Sequence, residues 1–337
     1  MRLKIGTQAV SRFISYYLKS PDYWTYIRGV LGDKSAQPNA SAKTLTQAKV
    51  RLPPRAEQQS IASILSTLDD KINLNRRMNE TLEAIARALF TSWFVDFDPV
   101  RAKMEGRQPV GMDAEIAALL PEGLEESEIG AIPVGWQIAP FSSLATLSRV
   151  TINPSNYPSE VFDHYSLPAF DQGQIPASDQ GNTIKSQKFV VPGSSLLLSK
   201  LNPRFPRAWI PTVSPLRRAI ASTEFLVLLP HYETPRAYLY SLYLSSGFME
   251  DFASRVTGTS GSHQRVKPDD LLSMVVVLPP GPLRRAFNDR TGPLLRRVSA
   301  NRQESLTLAT IRDTLLPKLL SGEVRVQDAE RELEAVL

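Results

Sequence analysis

The chain has 337 residues, of which 42% are hydrophobic and 22% charged, a composition typical of a globular protein with more than one domain. It contains no cysteine, three histidines, no apolar run near the ~18 residues of a membrane span and no signal-peptide pattern; this excludes disulfides and thiolate metal sites and makes the cytoplasm the expected location. The formal net charge of +5 favours a polyanionic partner and gives no reason to expect a membrane.

Residues 1–51 contain a helical pattern, a polar stretch and a short strand-like segment, and residues 52–94 predict one long helix. This helix has prolines only at its start and no glycine. Its apolar residues and asparagines alternate at steps of four and three, the spacing of a coiled-coil seam. The seam comprises Ile61, Leu65, Leu68, Ile72, Asn75, Asn79, Leu82, Ala86 and Leu89. Because a buried asparagine needs a partner that donates and accepts hydrogen bonds, this helix should pair with a second one.

The segment 95–131 is acidic and is interrupted by proline and glycine, with nine acidic and three basic residues between positions 96 and 130. This composition predicts an irregular linker with a short helix near 113–120. A solvated linker and a surface that docks another protein explain the composition equally well.

Short β-rich segments separated by turn residues fill positions 132–280, and only residues 236–256 have helical periodicity there. We therefore predict a compact α+β domain rich in strand. A second long helix is predicted over 281–322, with a kink or a restart at Gly292-Pro293, because proline is tolerated in the first turn of a helix and not inside it. Residues 323–337 form a polar tail.

An internal repeat organises the chain. The tripeptide LPP at 278–280 repeats LPP at 52–54 after 226 residues, and the same offset places NR at 301–302 on NR at 75–76 without a gap. The chain is therefore predicted to hold two copies of one unit, each ending in a long helix. We expect the two helices to pair antiparallel, with Asn75 and Asn301 near their crossing. The residues expected to pair the helices are Leu68, Ile72, Asn75, Leu82, Val298, Asn301, Leu308 and Ile311.

Sequence motifs for catalysis are absent. The chain has no phosphate-binding glycine loop, no HExxH, no nucleophile elbow and no Asn/Asp-Pro-Pro-aromatic motif for holding a flipped base. The nearest match, LNPR at 201–204, lacks the second proline and the aromatic residue. Asp69 and Asp70 are adjacent carboxylates, but their place in the long helix favours a solvated helix face. The sequence thus predicts a non-catalytic chain with no metal or cofactor site of its own.

A basic stretch, residues 180–223, contains no Asp or Glu and seven Lys or Arg. Cations on strand edges and loops can neutralise phosphates, whereas asparagine and arginine can make paired hydrogen bonds to base edges. The alternative is a basic surface strand without a ligand. The candidate DNA-binding residues of the basic stretch are Lys185, Lys188, Lys200, Asn202, Arg204 and Arg207, and Arg217 and Arg218 complete its charge.

The loop at 257–270 is a second candidate, because its small residues allow close backbone approach and its polar residues supply donors. A Gly/Ser-rich turn leading into a strand explains the same residues without a ligand. The repeat partner at 32–43 differs in nearly every polar residue, as expected of two similar domains that read different sites. The candidate DNA-binding residues of the loop are Ser262, His263, Gln264, Arg265 and Lys267.

Several segments resemble the DNA-specificity subunits of type I restriction-modification systems. In that family two target-recognition domains each read half of a split DNA site, and two antiparallel helices set the spacing between them. The resemblance rests on LPPRAEQQSIASIL at 52–65, the run from Leu65 to Gly106, IPVGW at 132–136, SKLNPR at 199–204, STEFLVL at 222–228 and RDTLLPKLLSGEVRV at 312–326.

The resemblance implies a domain plan. Residues 1–51 would be the C-terminal remnant of a first target-recognition domain, 52–94 the central conserved helix and 95–131 a partner-docking segment. Residues 132–280 would be the second recognition domain and 281–322 the C-terminal conserved helix. About 95 residues of the first domain would then be missing from the chain, so self-association that restores a two-part target is expected.

The resemblance also implies partners. These are double-stranded DNA, adenine methyltransferase (modification) subunits and motor/nuclease (restriction) subunits; S-adenosylmethionine, ATP and Mg would belong to those subunits and not to this chain. The alternative is a non-catalytic coiled-coil scaffold whose strand-rich domain binds protein. An enzyme comes third.

Overall fold

The computed structural model describes residues 6–31, 41–257 and 264–334. The chain divides into two compact units: unit 1 consists of residues 1–77 and 303–337, and unit 2 of residues 78–302. Most of the loop predicted at 32–43, and the candidate residues Ser262 and His263, lie outside the described residues.

The described residues form twelve α-helices, two of which are about 40 residues long. In chain order they are α1 (Ser11–Tyr17), α2 (Pro21–Leu31), α3 (Ala42–Thr46), α4 (Arg55–Phe94), α5 (Asp98–Met104), α6 (Ala114–Ala117), α7 (Leu167–Asp171), α8 (Arg236–Tyr243), α9 (Ser246–Ser254), α10 (Pro268–Leu272), α11 (Gly281–Ser321) and α12 (Val326–Glu334).

All the strands of the described residues lie in unit 2. They are β1 (Leu124–Ser127), β2 (Gly130–Pro133), β3 (Gln137–Pro140), β4 (Ala145–Ser148), β5 (Thr151–Ile152), β6 (Val161–Tyr165), β7 (Ala177–Gln180), β8 (Lys188–Val190), β9 (Leu196–Ser199), β10 (Ala208–Trp209), β11 (Ala219–Ala221), β12 (Phe225–Pro230) and β13 (Val275–Leu278).

Unit 2 contains two main sheets and two smaller strand pairs. The larger sheet has the order β5-β8-β11-β6-β7 and the second has the order β10-β9-β12-β4, while β1 pairs with β2 and β13 with β3. The β11–β6 pair is parallel, and the other pairs among the described strands are antiparallel. The prediction of an α+β fold with a strand-rich domain and two long helices is confirmed.

The four-stranded sheet is buried on both faces. Leu197 and Val227 pack with Tyr165 and Trp209 of the neighbouring strands, whereas Leu198 points into the core that also contains α8 and α9. A strand covered on both faces has no solvent side, so its sequence is a continuous apolar run and not an alternation. The runs LLL of β9 and FLVLL of β12 have this form.

Aromatic rings fix the ends of the long helices to unit 2. Phe94 near the end of α4 lies 5.2 Å from the ring of Tyr238 on α8 and 5.3 Å from that of Phe287 on α11, centroid to centroid. Phe90 lies 5.8 Å from Phe287, and Trp136 lies 6.0 Å from Phe94. Edge-to-face and tilted pairs at these distances add directional attraction to the burial of the rings.

The acidic segment that follows α4 is more ordered than an irregular linker. It contains α5 and α6, and its apolar residues Phe97, Val100, Met112 and Leu120 are buried in the core of unit 2. Lys103 closes the segment by donating from Nζ to the carbonyl oxygen of Leu120 at 2.6 Å. Proline and glycine mark the turns of this segment correctly, but they do not reveal which apolar residues reach the core.

Unit 1 is built on the first part of α4 and the last part of α11. Its core includes Phe13 of α1, Leu65 and Leu68 of α4 and Leu315 of α11. Ile72, Leu308 and Ile311 also lie in or against this core, as do Ala329 of α12 and the neighbouring apolar residues. An amphipathic helix of this length is stabilised mainly by such tertiary packing, since intrinsic helix propensity contributes little per residue.

Asp69 does not lie on a solvated helix face, so that interpretation is wrong for this residue. Its carboxylate accepts hydrogen bonds from Tyr16 Oη at 2.8 Å and from Arg312 Nη1 at 2.6 Å, and Lys19 Nζ lies 3.8 Å away. Its neighbour Asp70 is exposed as expected. The network links α1, α4 and α11 inside unit 1.

The long helices run antiparallel. In unit 1, Asp69 meets Arg312 and Asn75 meets Ser305, so positions advance along α4 as they recede along α11. Asn75 and Asn301 do not bond to each other as predicted. Asn75 Nδ2 donates to Glu304 Oε2 at 3.0 Å and to Ser305 Oγ at 3.3 Å, and in unit 2 Asn301 Nδ2 donates to the Oδ1 atom of the α4 residue Asn79 at 2.8 Å.

These two contacts are equivalent under the internal repeat. An offset of 226 residues carries Asn75 to Asn301 and Asn79 to Ser305, so each buried asparagine meets the same position of the opposite helix. Among the remaining seam residues, Val298 is buried and Leu82 is half-buried.

The repeat extends to the helices themselves. The offset that relates α3 to α10 and α4 to α11 is 226 residues at their first residues. Gln58 and Arg284, which share one repeat position, are both buried and both hold the segment before the first helix of their unit. Gln58 Nε2 donates to the Gln8 carbonyl oxygen at 3.1 Å, and Arg284 Nη1 donates to Thr234 Oγ1 at 2.7 Å. Gln8 and Thr234 also correspond under the offset.

The predicted restart at Gly292-Pro293 does not occur, because α11 is continuous from Gly281 to Ser321. Thr291 and Gly292 are buried, and the Thr291 hydroxyl donates to the Phe287 carbonyl oxygen at 2.8 Å. Packing on the buried side of the helix thus outweighs the local preference of the Gly-Pro pair.

Within the described ranges, no helix combines the length and apolar character needed to cross a bilayer. The same residues contain no group of three or more His, Asp or Glu side chains arranged to hold a metal ion.

Replacing Asn301 by alanine should lower the free energy of unfolding by about 1–3 kcal/mol, because Asn79 then loses its donor inside the helix seam. Urea denaturation of the full chain measures the change. The double variant with Asn79→Ala should lose less stability than the two single variants together, since the second change removes a group that is already unpaired.

The matched control for this prediction is Asn73→Ala, which removes an exposed asparagine from the same helix. It should change the free energy of unfolding by no more than about 0.5 kcal/mol. Equal losses for Asn73→Ala and Asn301→Ala would contradict the assigned pairing.

Candidate nucleic-acid interface

The β9–β10 loop, residues 200–207, has a fixed backbone. Asn202 has a φ of 48°, in the left-handed region that asparagine tolerates better than most residues. Its N–H donates to the Gln264 carbonyl oxygen at 2.9 Å, and its own carbonyl oxygen accepts from the Phe205 N–H at 3.0 Å. Pro203 is buried at the base of the loop, so the loop stands on the core of unit 2.

The structure brings together the two segments that the sequence identified separately. Lys200 N donates to the Glu224 carbonyl oxygen at 3.0 Å, and the Lys200 carbonyl oxygen accepts from Val266 N at 3.1 Å. Leu201 and Arg265 form an antiparallel bridge. The β9–β10 loop and residues 264–267 therefore lie side by side on one part of unit 2.

Two cations of this region are exposed and uncommitted. Arg204 and Lys267 form no hydrogen bond or ion pair with any described residue, and both are exposed. Lys200 is half-buried, and Lys185 is exposed with its Nζ bonded to the Asn182 carbonyl oxygen at 2.6 Å. Arg204 and Lys267 are thus the candidate residues best placed to meet an anionic ligand.

Several other arginines are held by carboxylates that the basic stretch does not contain. Arg207 donates through Nε and Nη2 to the two oxygens of Asp171 at 2.7 and 3.0 Å. Arg265 donates to both oxygens of Glu224 at 2.9 Å, and its guanidinium holds the pKa of that carboxyl below its ordinary value. Such forked pairs orient both side chains. The further pairs are Arg217 with Asp163 and Arg218 with Glu160.

Lys188 is turned inward. Its side chain is buried, Nζ donates to Ser186 Oγ at 2.6 Å, and burial lowers the pKa of this lysine. On the same sheet His164 Nδ1 lies 2.8 Å from Asp179 Oδ2, and burial lowers the pKa of the histidine. In this conformation Lys188 presents no cation to a phosphate at the surface.

Asn202 and Gln264 contribute mainly through their backbones. The Asn202 Oδ1 atom is buried and has no hydrogen-bond partner among the described residues. It is therefore not available, in this conformation, for a paired contact with a base edge. Gln264 is half-buried, and its carbonyl oxygen is the acceptor that holds Asn202.

Phe205 was not selected as a candidate from the sequence. Its side chain is 67% exposed in the β9–β10 loop, next to Arg204. The pattern Pro-Arg-Phe-Pro-Arg at 203–207 carries a usable signal, because two prolines exclude a central strand and leave the aromatic residue in a loop.

Comparison with known proteins places this geometry in a family. Residues 2–84 match the model of the type I restriction modification DNA specificity domain. The chain is 25% identical over 335 residues to the MjaIX type I restriction enzyme specificity subunit of Methanocaldococcus jannaschii, covering 95% of this chain and 70% of the relative. It is 26% identical over 366 residues to the HindI specificity subunit of Haemophilus influenzae, covering 93% of this chain and 77% of the relative.

A solved structure shares the fold. The type I restriction-modification S subunit from M. genitalium aligns with a TM-score of 0.50 at 15% identity, over 94% of this chain and 74% of that one. The family model, the two relatives and the fold agree with the segments that carried the resemblance in the sequence. The chain therefore belongs to the family of DNA-specificity subunits of type I restriction-modification systems.

Proposed function

We propose that this chain selects the DNA sequence on which a type I restriction-modification assembly acts, and that unit 2 reads one half of a two-part site. The observation that carries the proposal is the juxtaposition of the β9–β10 loop with residues 264–267, which leaves Arg204 and Lys267 exposed and unpaired among the described residues. Cations that approach phosphates supply affinity, and side chains that reach base edges supply sequence preference.

In this proposal the chemistry belongs to partner subunits. An adenine methyltransferase subunit would use S-adenosylmethionine, and a motor/nuclease subunit would use ATP and Mg. This chain would be non-catalytic, which agrees with the absence of catalytic motifs from its sequence. Its role would be to place the partners at a chosen site.

The alternative is a scaffold whose strand-rich domain binds protein. The relatives favour DNA, since both are named as specificity subunits of restriction enzymes. Salt dependence distinguishes the two functions, because each phosphate contact on duplex DNA adds about −0.9 to the log-log slope of affinity against salt. A flat, weak response of DNA binding to salt would favour the scaffold.

The direct test is to express the chain with its methyltransferase subunit in a host that lacks adenine methylation and to map methylated adenines. The proposal expects methylation at one defined motif that disappears when this chain is omitted. Methylation without a motif, or the same motif without this chain, would overturn it.

Arg204→Ala and Lys267→Ala should each weaken DNA binding without changing thermal stability, because neither side chain has a partner among the described residues. Loss of a phosphate contact should weaken all sequences alike and reduce the salt slope by about 0.9. Loss of a base contact should instead cost about 1–3 kcal/mol and relax preference at one base. Fluorescence anisotropy over a range of salt concentrations measures both quantities.

Arg101→Ala is the control for these variants, since it removes an exposed arginine from the acidic segment. It should leave the affinity and the salt slope unchanged. If Arg204→Ala and Lys267→Ala also bind DNA as the unmodified chain does, the β9–β10 loop does not lie at the interface.

Glu224→Gln should destabilise unit 2 at neutral pH by up to about 1 kcal/mol, because it removes the charge that Arg265 holds. The folded state lowers the pKa of Glu224, so the stabilisation is complete above the pKa of the unfolded carboxyl and is lost as pH falls through the folded value. The stability difference between variant and unmodified chain should therefore shrink on acidification, as measured by urea denaturation against pH.

Glu250→Gln, at an exposed position in the same unit, is the matched control and should show little difference at any pH. A Glu224→Gln effect that is independent of pH would show that the ion pair does not stabilise this region.

A further inference from the structure

Phe205 is an exposed aromatic residue at a place where the surrounding surface is cationic. A single exposed apolar side chain is common on soluble proteins, so exposure alone carries little information. Phe205 differs in its position: it follows Arg204 in a stretch without a carboxylate, and its loop lies beside residues 264–267.

The loop holds Phe205 in place before any ligand arrives. The Phe205 N–H donates to the Asn202 carbonyl oxygen at 3.0 Å, and the Ser199 N–H donates to the Arg207 carbonyl oxygen at 2.9 Å, which closes the loop. Prolines precede Arg204 and follow Phe205, and each fixes one backbone dihedral. An aromatic ring on such a backbone loses little conformational entropy when it binds.

The charges nearest in sequence suit DNA better than a protein surface. Arg207 is occupied by Asp171 and so supports the loop, whereas Arg204 is exposed with no partner in the described part of the chain. An aromatic ring beside a free guanidinium matches a ligand that has both phosphates and flat or methylated bases.

We propose that the Phe205 ring contacts bases of the half-site read by unit 2, and that it contributes to sequence preference through apolar contact while Arg204 supplies charge. The inference rests on the proposed function. Two modes share this chemistry: the ring can enter a base step and unstack it, or it can lie against the methyl group of a thymine.

The test uses the full chain and two duplexes, one carrying the motif found by methylation mapping and one with the same composition scrambled. Phe205→Ala should weaken binding to the motif by about 5- to 150-fold, the range for loss of one aromatic–base contact, and leave binding to the scrambled duplex unchanged. Phe205→Tyr should retain most of the affinity. Tyr232→Ala, which removes a fully exposed aromatic residue elsewhere in unit 2, should bind both duplexes normally.

Modified bases then separate the two modes. With 2-aminopurine placed at successive positions of the half-site, unstacking should raise the fluorescence at one step for the unmodified chain and not for Phe205→Ala. With uracil in place of thymine, loss of a methyl contact should weaken the unmodified chain and leave Phe205→Ala unaffected. Either result supports the inference.

Other outcomes overturn it. Phe205→Ala that binds the motif as tightly as the unmodified chain would do so while leaving the proposed function intact. Equal weakening on both duplexes would show that the ring supports the loop and does not contact bases. Normal DNA binding with lost binding to the purified methyltransferase subunit would assign the ring to a protein contact. Phe205→Trp provides a second measurement: its added fluorescence should change on the motif duplex, and no change would also refute the contact.

Discussion

The pairing of the two long helices depends on polar groups that water cannot reach. Asn75 and Asn301 are both almost fully buried, and each can be satisfied only by the opposite helix. This requirement fixes the register more strictly than leucines do, because an apolar seam tolerates a shift that a hydrogen bond does not. The helices α1 and α8 then pack against a surface whose register is already determined, one in each unit.

The candidate interface depends on this packing through β9. The strand has apolar side chains on both faces, so it can neither slide nor rotate without exposing leucines to water or breaking the ladder to β12. The β9–β10 loop begins at the residue after the strand. A loop that starts from an immobile strand and carries a left-handed Asn202 holds one shape, and surfaces that must discriminate sequences benefit from such pre-organisation.

The sequence predicts features that depend on spacing and misses those that depend on contacts across the fold. The seam of α4, the repeat and the strand-rich body follow from periodicities of 3.5, 226 and 2 residues. The inward position of Lys188 and the pairing of Arg207 with Asp171 do not, because the partner atoms come from other segments. Charge counting along the chain identifies the region of the candidate site, but it overestimates how much of that charge is free to bind a ligand.

The Asp69–Arg312 pair lets each long helix distinguish its partner from a copy of itself. Under the repeat offset Ala86 stands where α11 has Arg312, so in an α4–α4 pair of the same register Asp69 would face a methyl group and lose its guanidinium. In an α11–α11 pair Arg312 would face Leu295, the counterpart of Asp69, and lose its carboxylate. A half-buried charge without its counter-ion disfavours both homotypic pairings. Two helices descended from one sequence have thus become complementary, and the duplication carries its own barrier to mispairing.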